Sequence, residues 1–192
     1  IVLKKGGRLE DYSGINFLSA KITPHIVIPT TAGTGSEVTY AAVIKDHEKK
    51  RKLIFADWYL IPDVAILDPE MTVGMPPDIT AQTGMDALAH SVEAIHSLQA
   101  SPMSDSLALH AIRLIFEYLP RAQKNGKDIL ARGQMLIAAN LAGCAFSNAQ
   151  VGVIHALSHP TGGRFGVPHG LANSILMPHC MRFNLDSCPD RY

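Results

Sequence analysis

The chain has 192 residues, enough for one large domain or two modest ones around a real hydrophobic core. Apolar residues make up 47% and charged residues 18%, the composition of a soluble globular chain and not of a disordered one. Lys plus Arg and Asp plus Glu balance at 17 each, which argues against nucleic acid or an anionic membrane surface as the main partner, since both demand a basic excess. No run approaches the roughly 18 consecutive apolar residues of a membrane helix, so no membrane association is expected.

The opening stretch from Ile1 to Gly7 has neither an initiator Met nor a signal-peptide layout. It reads as a chain entered in mid-domain, and the end at Tyr192 reads as an equally arbitrary stop. The three cysteines, Cys144, Cys180 and Cys188, contain no CxxC pair. Disulfides are therefore not expected, and a reducing cytoplasm is the expected compartment.

In chain order, residues 24–68 are rich in short β-branched runs bounded by turn formers. His25 to Pro29 is predicted as a brief strand, followed by the small-residue loop Thr30 to Ser36. Ala41 to Ile44 and Lys52 to Phe55 flank the charged turn Lys45 to Arg51 and predict a hairpin. Val64 to Leu67 is predicted as a fourth strand, closed by Asp68-Pro69.

Near residue 75 the texture changes, and helical spacing takes over. Ile79 to Leu98 is predicted as a helix, with Pro76 and Pro77 placed where a helix begins. Ser104 to Leu119 is a second, stopped by Pro120, and Asp128 to Phe146 a third. Val151 to Ser158 is a fourth, broken by Pro160 and the glycines at 162 and 163. Ala172 to Phe183 is a fifth, which Pro178 kinks or divides. This predicts an α/β part over residues 1–74 and an all-helical part over residues 75–192.

Nine histidines are present, and their spacing carries the chemistry. Asp86 and His90 are four apart on a predicted helix, so both side chains emerge on one face, one turn apart. Such a pair can ligate one cation together, or simply hydrogen-bond to each other. His155 and His159 repeat the spacing, and His169 follows across a Pro-Gly-Gly loop. Three histidines and one Asp match the borderline ligand set that suits Fe(II) or Zn(II), whereas Mg or Ca would want more oxygen ligands. His25, His47, His96, His110 and His179 occupy strand ends, a charged turn or mixed helical faces, and are expected to be structural or solvated.

The loop Thr30 to Ser36 supports two readings. Gly33 and Gly35 permit close backbone approach, and the hydroxyls of Thr30, Thr31, Thr34 and Ser36 can bind a phosphate, ribose or amide. It can equally be a tight strand-to-helix connection. It is neither GxGxxG nor a Walker loop.

Taken together, Pro29 to Thr39, Thr83 to His90 and His155 to Gly170 resemble the iron-containing (group III) alcohol dehydrogenases, in the same order and over essentially the whole chain. The third stretch, with three histidines and a Pro-His-Gly at defined offsets, is the most specific. The resemblance implies an incomplete Rossmann-like dinucleotide-binding domain over residues 1–74 and a truncated helical metal-binding domain over 75–192. It implies Asp86, His90, His155 and His169 as ligands of Fe2+ or Zn2+, with His159 beside the metal and nicotinamide but not an obligatory ligand. An imidazole there titrates in the range that suits a relay of the alcohol proton to solvent, the role expected of His159. It implicates Thr30, Thr31, Thr34, Lys52 and Leu67 in contacts with NAD or NADP. The family's Gly-Gly-Gly-Ser pyrophosphate turn belongs upstream of residue 1, so about half of a family member is expected here, without its last helices. The implied reaction is interconversion of a primary alcohol or diol and its aldehyde, in a cytoplasmic homo-oligomer such as a homodimer. Simple primary alcohols, butanol, lactaldehyde/propanediol and 1,3-propanediol are candidate substrates.

Two rival functions follow from the same residues. A metal hydrolase needs a carboxylate base beside metal-bound water, and Glu93 is the nearby candidate. A non-redox NAD- and zinc-dependent lyase like the dehydroquinate synthases needs more Lys and Arg than this neighbourhood holds.

Overall fold

Among the described residues the strands all lie before residue 66. The computed structural model describes residues 1–46 and 48–191. After a short helix, α1 (Val2–Lys5), come β1 (Gly14–Ile15), β2 (Ile26–Val27), β3 (Ala41–Asp46), β4 (Arg51–Ala56) and β5 (Val64–Ala65). The predicted hairpin forms: β3 and β4 pair antiparallel, with Ala41 opposite Ala56 and Ile44 opposite Leu53. His47, placed by its sequence in the charged turn, lies outside the described residues. Inward alternation on β4 buries Leu53 and Phe55, the latter at 1% exposure.

The strand predicted from His25 to Pro29 shrinks to Ile26–Val27, paired parallel with Val64–Ala65. Pro29 has no N–H to continue the ladder. Gly14–Ile15, not anticipated, pairs parallel with Phe55 and Ala56 and makes β4 the centre of a three-stranded sheet. The loop Thr30 to Ser36 runs through turns into β3, so it is not a strand-to-helix connection.

The helices are α2 (Pro77–His96), α3 (Pro102–Lys124), α4 (Ile129–Ala149), α5 (Val153–Phe165) and α6 (His169–Leu185). Pro77 starts α2 at a position whose N–H has no helical acceptor in any case. Two expectations fail in the same way: Pro120 does not stop α3 and Pro160 does not break α5. Pro178, expected to kink or divide the last helix, does not divide it: α6 is a single helix. Each of these prolines is exposed, as are Phe116 and Ala156 four residues before the first two, so the carbonyls they orphan lie on water-facing sides. Gly162 and Gly163 are likewise helical, and α5 ends at Gly166 in a left-handed cap with φ 73°.

The core joins α2, α3, α4 and α6 and is built largely of alanine. Ala87, Ala89, Ala111, Ala131, Ala138, Ala139 and Ala142 are buried around Ile115, Met135, Leu136 and Ile154. Small side chains let these helices approach closely, and the larger ones fill the gaps. Among the described residues one helix, α4, is long and apolar enough to cross a membrane by length and composition. A count of consecutive apolar residues misses it because Arg132, Gln134, Asn140 and scattered Gly and Ser interrupt an Ala-rich run; here α4 packs its Ala and Met face into the core.

A buried arginine fastens the start of the helical part. Arg132 donates to Thr80 Oγ1 at 2.8 Å, the Met75 carbonyl at 3.0 Å and the Gly126 carbonyl at 2.9 Å. The entry to α2 is thereby tied to the turn before α4.

Candidate metal centre

Three i,i+4 pairs on three helices face one another. Asp86 and His90 lie on α2, His155 and His159 on α5, and His169 and Asn173 on the first turns of α6. His169 is therefore helical and not part of a loop, which puts it on the same face as Asn173. Asp86 Oδ1 lies 3.6 Å from His155 Nε2, 3.5 Å from His169 Nε2 and 3.9 Å from His90 Nε2. The ligand atoms of Asp86, His90 and His155 all fall within 4.8 Å of one another. Asp86, His90 and His155 are buried, and His169 is partly open to the cleft.

The sequence-predicted ligands are thus brought together, and none of His25, His96, His110 or His179 joins them. His25 sits beside Asp63 with its backbone N–H bonded to that carboxylate at 3.0 Å. His110 pairs with Arg113 on an exposed face. His159 stands edge-on to His155, with ring centroids 5.6 Å apart, and 5.1 Å from His169.

The donor set tests whether a cation fits. Four acceptor-capable atoms converge on one point, and the donor among them is the Asn173 amide. Its Nδ2 donates to Asp86 Oδ1 at 2.7 Å and approaches His155 Nε2 at 3.3 Å and His169 Nε2 at 3.4 Å. Asn173 Oδ1 is buried without a partner. One carboxylate oxygen and three imidazole nitrogens converging in this way suit a borderline divalent cation, which would displace the proton that His155 otherwise holds.

Electrostatics follow from the same crowding. Burial pushes the His90 imidazole down to about 4, against the pull of Asp86. Burial would also lower His155, but its bonds to Asp86 and Glu93 raise it to about 9. His169 falls to about 3 by burial, opposed by Asp86 and helped by the Lys52 charge. His159 falls to about 4 by burial and the Lys52 and His155 charges. Burial would raise Asp86, but His90, His155 and His169 hold it well below the usual carboxylate range.

Features that spacing did not disclose complete the site. Phe146 of α4 stacks on His90 at 4.3 Å, and His90 stacks on His155 at 4.5 Å, so three rings form a pile. Glu93, one helical turn beyond His90, is fully buried against His155. Its position at i+7 from Asp86 on the same apolar-flanked face was the signal available for it. Close approach of α6 to α2 depends on Gly170, where a Cβ would overlap the Gln82 carbonyl oxygen.

A cleft of about 1230 Å³ opens over this cluster. Thr34, Ser36, Tyr40 and Lys52 line it from the strand-bearing part, and Asp86, His90, His155, His159 and His169 from the helices. Half-buried Lys52 reaches to 3.4 Å from His169 Nδ1, and burial lowers its ammonium pKa although Asp86 opposes the shift. Of the sequence-predicted dinucleotide contacts, Thr34 and Lys52 border this cleft, while Thr30, Thr31 and Leu67 do not. Leu67 packs against the helical core.

The sequence matches two family profiles: iron-containing alcohol dehydrogenase over residues 1–69, and the C-terminal part of the Fe-containing alcohol dehydrogenase family over residues 80–192. The chain belongs to the iron-containing alcohol dehydrogenase family. It is 45% identical to an NAD-dependent methanol dehydrogenase of Bacillus methanolicus, over 100% of this chain and 50% of that protein. It is 44% identical to a 1,3-propanediol dehydrogenase of Klebsiella pneumoniae, over 97% of this chain and 48% of that one. The solved structure of an alcohol dehydrogenase from Oenococcus oeni superposes with a TM-score of 0.94 at 39% identity, covering 99% of this chain and 50% of that chain. The chain spans about half the length of the curated relatives it matches.

Proposed function

We propose that this chain carries the metal centre of an NAD- or NADP-linked alcohol dehydrogenase that interconverts a primary alcohol or diol and its aldehyde. The observation that carries the reading is the convergence of Asp86, His90, His155 and His169 at the floor of a cleft. Residues 1–74 are then the C-terminal portion of a Rossmann-like dinucleotide-binding domain, and residues 75–192 a helical metal-binding domain. Relatives named for methanol and 1,3-propanediol support a small alcohol as substrate, and the NAD in the first name supports a nicotinamide cofactor. The three free thiols, Cys144, Cys180 and Cys188, support a reducing compartment such as the cytoplasm. A homo-oligomer, such as a homodimer, is part of the same reading by family membership.

Asp86, His90, His155 and His169 would hold Fe2+ or Zn2+. When bound, the cation supplies Lewis-acid polarisation of the substrate oxygen, and the nicotinamide takes up or donates hydride. The protein's own contribution is geometric and protonic. His159 lines the cleft beside His155 and His169 and can relay the hydroxyl proton toward solvent, although burial and Lys52 disfavour its imidazolium. Thr34 and Ser36 line the same space and can orient the dinucleotide. The Phe146 ring shields His90 from water on one side.

A hydrolase finds no support, because Glu93, its candidate base, is buried and occupied by hydrogen bonds. The lyase reading would need cations for an anionic substrate, and the cleft is lined mainly by apolar groups with Lys45 and Lys52. The test is metal analysis of anaerobically purified protein together with nicotinamide absorbance over a panel of alcohols. Stoichiometric iron or zinc with alcohol-dependent reduction is expected; protein that retains neither metal overturns the reading.

A further inference from the structure

Glu93 is the third member of the α2 face that carries Asp86 and His90, at i, i+4 and i+7. Its side chain is fully buried, and both carboxylate oxygens are committed. Oε1 accepts the backbone N–H of Ile154 at 2.7 Å and of His155 at 3.3 Å, two of the donors that a helix start leaves without internal partners. Oε2 bonds His155 Nδ1. Room for the carboxylate depends on Gly152, where an added Cβ would stand 3.1 Å from Oε1 and 3.5 Å from His96 Nε2.

The two functions of this carboxylate are coupled through one residue. Docking the start of α5 onto α2 also delivers the oxygen that meets His155 Nδ1. An imidazole with its Nδ1–H held by a carboxylate keeps the Nε2 lone pair free, and that atom faces Asp86. We propose, resting on the metal-centre reading above, that Glu93 is the positioning residue of the site: it fixes the tautomer and ring orientation of His155 while seating α5 on the helix that supplies Asp86 and His90.

Capping α5 alone would not need His155, so the two roles separate experimentally. Glu93→Gln keeps the size of the side chain and an acceptor for the backbone N–H groups. It turns an amide donor toward Nδ1, or else toward two backbone donors, and so disfavours the metal-ready tautomer. The experiment measures Zn2+ affinity by competition with a chelating dye for the unmodified chain, Glu93→Gln, His155→Ala and the double variant, with circular dichroism to confirm folding.

Glu93→Gln is expected to bind Zn2+ about 10–100-fold more weakly, and to add no further loss in the His155→Ala background. Unchanged affinity in Glu93→Gln, or an equal loss with and without His155, overturns the proposal while leaving the metal centre standing. Undiminished Zn2+ affinity in His155→Ala sinks the metal-centre reading itself, and this proposal with it. Should Glu93→Gln fail to fold, nitrogen NMR of the unmodified Zn2+-loaded chain decides. His155 is expected to carry a slowly exchanging Nδ1–H; an unprotonated Nδ1 refutes the assignment.

Discussion

Gly170 and Gln82 touch backbone to backbone, so closely that a methyl group on Gly170 would overlap the Gln82 carbonyl oxygen. This contact lets the first turn of α6 approach α2, and it sets His169 Nε2 3.5 Å from Asp86 Oδ1. Neither partner is flexible, because the obstructing atom belongs to a helix backbone. Gly170→Ala is therefore expected to push α6 away from α2. The destabilisation should be about 1–3 kcal/mol, typical of overpacking, and metal retention should fall because His169 moves with the helix. Metal content and the midpoint of denaturant unfolding check this; unchanged values in both would show that the helices can slide apart without cost.

Removal of single ligands separates the cluster from the other histidines. His155→Ala and His169→Ala should abolish tight metal retention, while His110→Ala, on an exposed face beside Arg113, should leave it unaltered. Metal content of the three purified variants is the measurement. Equal loss in all three would indicate general unfolding.

Bound metal should also stabilise the fold, since the ligands come from α2, α5 and α6 and no ligand cluster of this geometry exists in an unfolded chain. With free metal at 100 times its dissociation constant, binding contributes about 2.7 kcal/mol. A domain of this size shifts its Tm by about 2–4 °C per kcal/mol, so chelation should lower Tm by roughly 5–11 °C. Calorimetry with and without chelator checks the value, and coincident Tm values would contradict tight binding.

His159 shares a helical face with His155, one turn further along, yet no atom pair places it within the Asp86 cluster. His159→Ala should retain metal and lose turnover by on the order of 10²–10⁴-fold, the scale of a lost acid–base group. Parallel metal analysis and rate measurement decide; metal loss equal to that of His155→Ala would make it a ligand.

Thr34 borders the cleft, whereas Thr31 does not. Thr34→Ala should raise KM for the dinucleotide roughly 2–12-fold, the equivalent of one hydrogen bond of about 0.5–1.5 kcal/mol, with metal content unchanged. Thr31→Ala should have the smaller effect. A Thr34 variant with normal dinucleotide KM and no metal would reverse the assignment of this loop.

Spacing made the shared faces legible, because i,i+4 is a local property: it puts Asp86 with His90, and His155 with His159, on common faces whatever surrounds them. The choice of His155 and His169 as ligands over His159 came from the family resemblance of the later motif. The hairpin was legible for a similar reason, as alternating apolar runs on either side of a charged turn pair with their neighbours in sequence. Helix ends were less so. Pro120 and Pro160 read as breaks and Pro178 as a kink or a break, but each sits on an exposed face, and whether an orphaned carbonyl meets water is decided by which side of the helix the core occupies. The parallel pairing of Gly14–Ile15 with Phe55–Ala56 joins segments about forty residues apart and has no local signature. The same holds for Glu93 against His155, Phe146 over His90, and Asn173 among the imidazoles. Sequence by itself determined which residues share a helix face; only the packing of α2 against α4, α5 and α6 decided which faces meet, because side-chain burial is settled by contacts between segments distant along the chain.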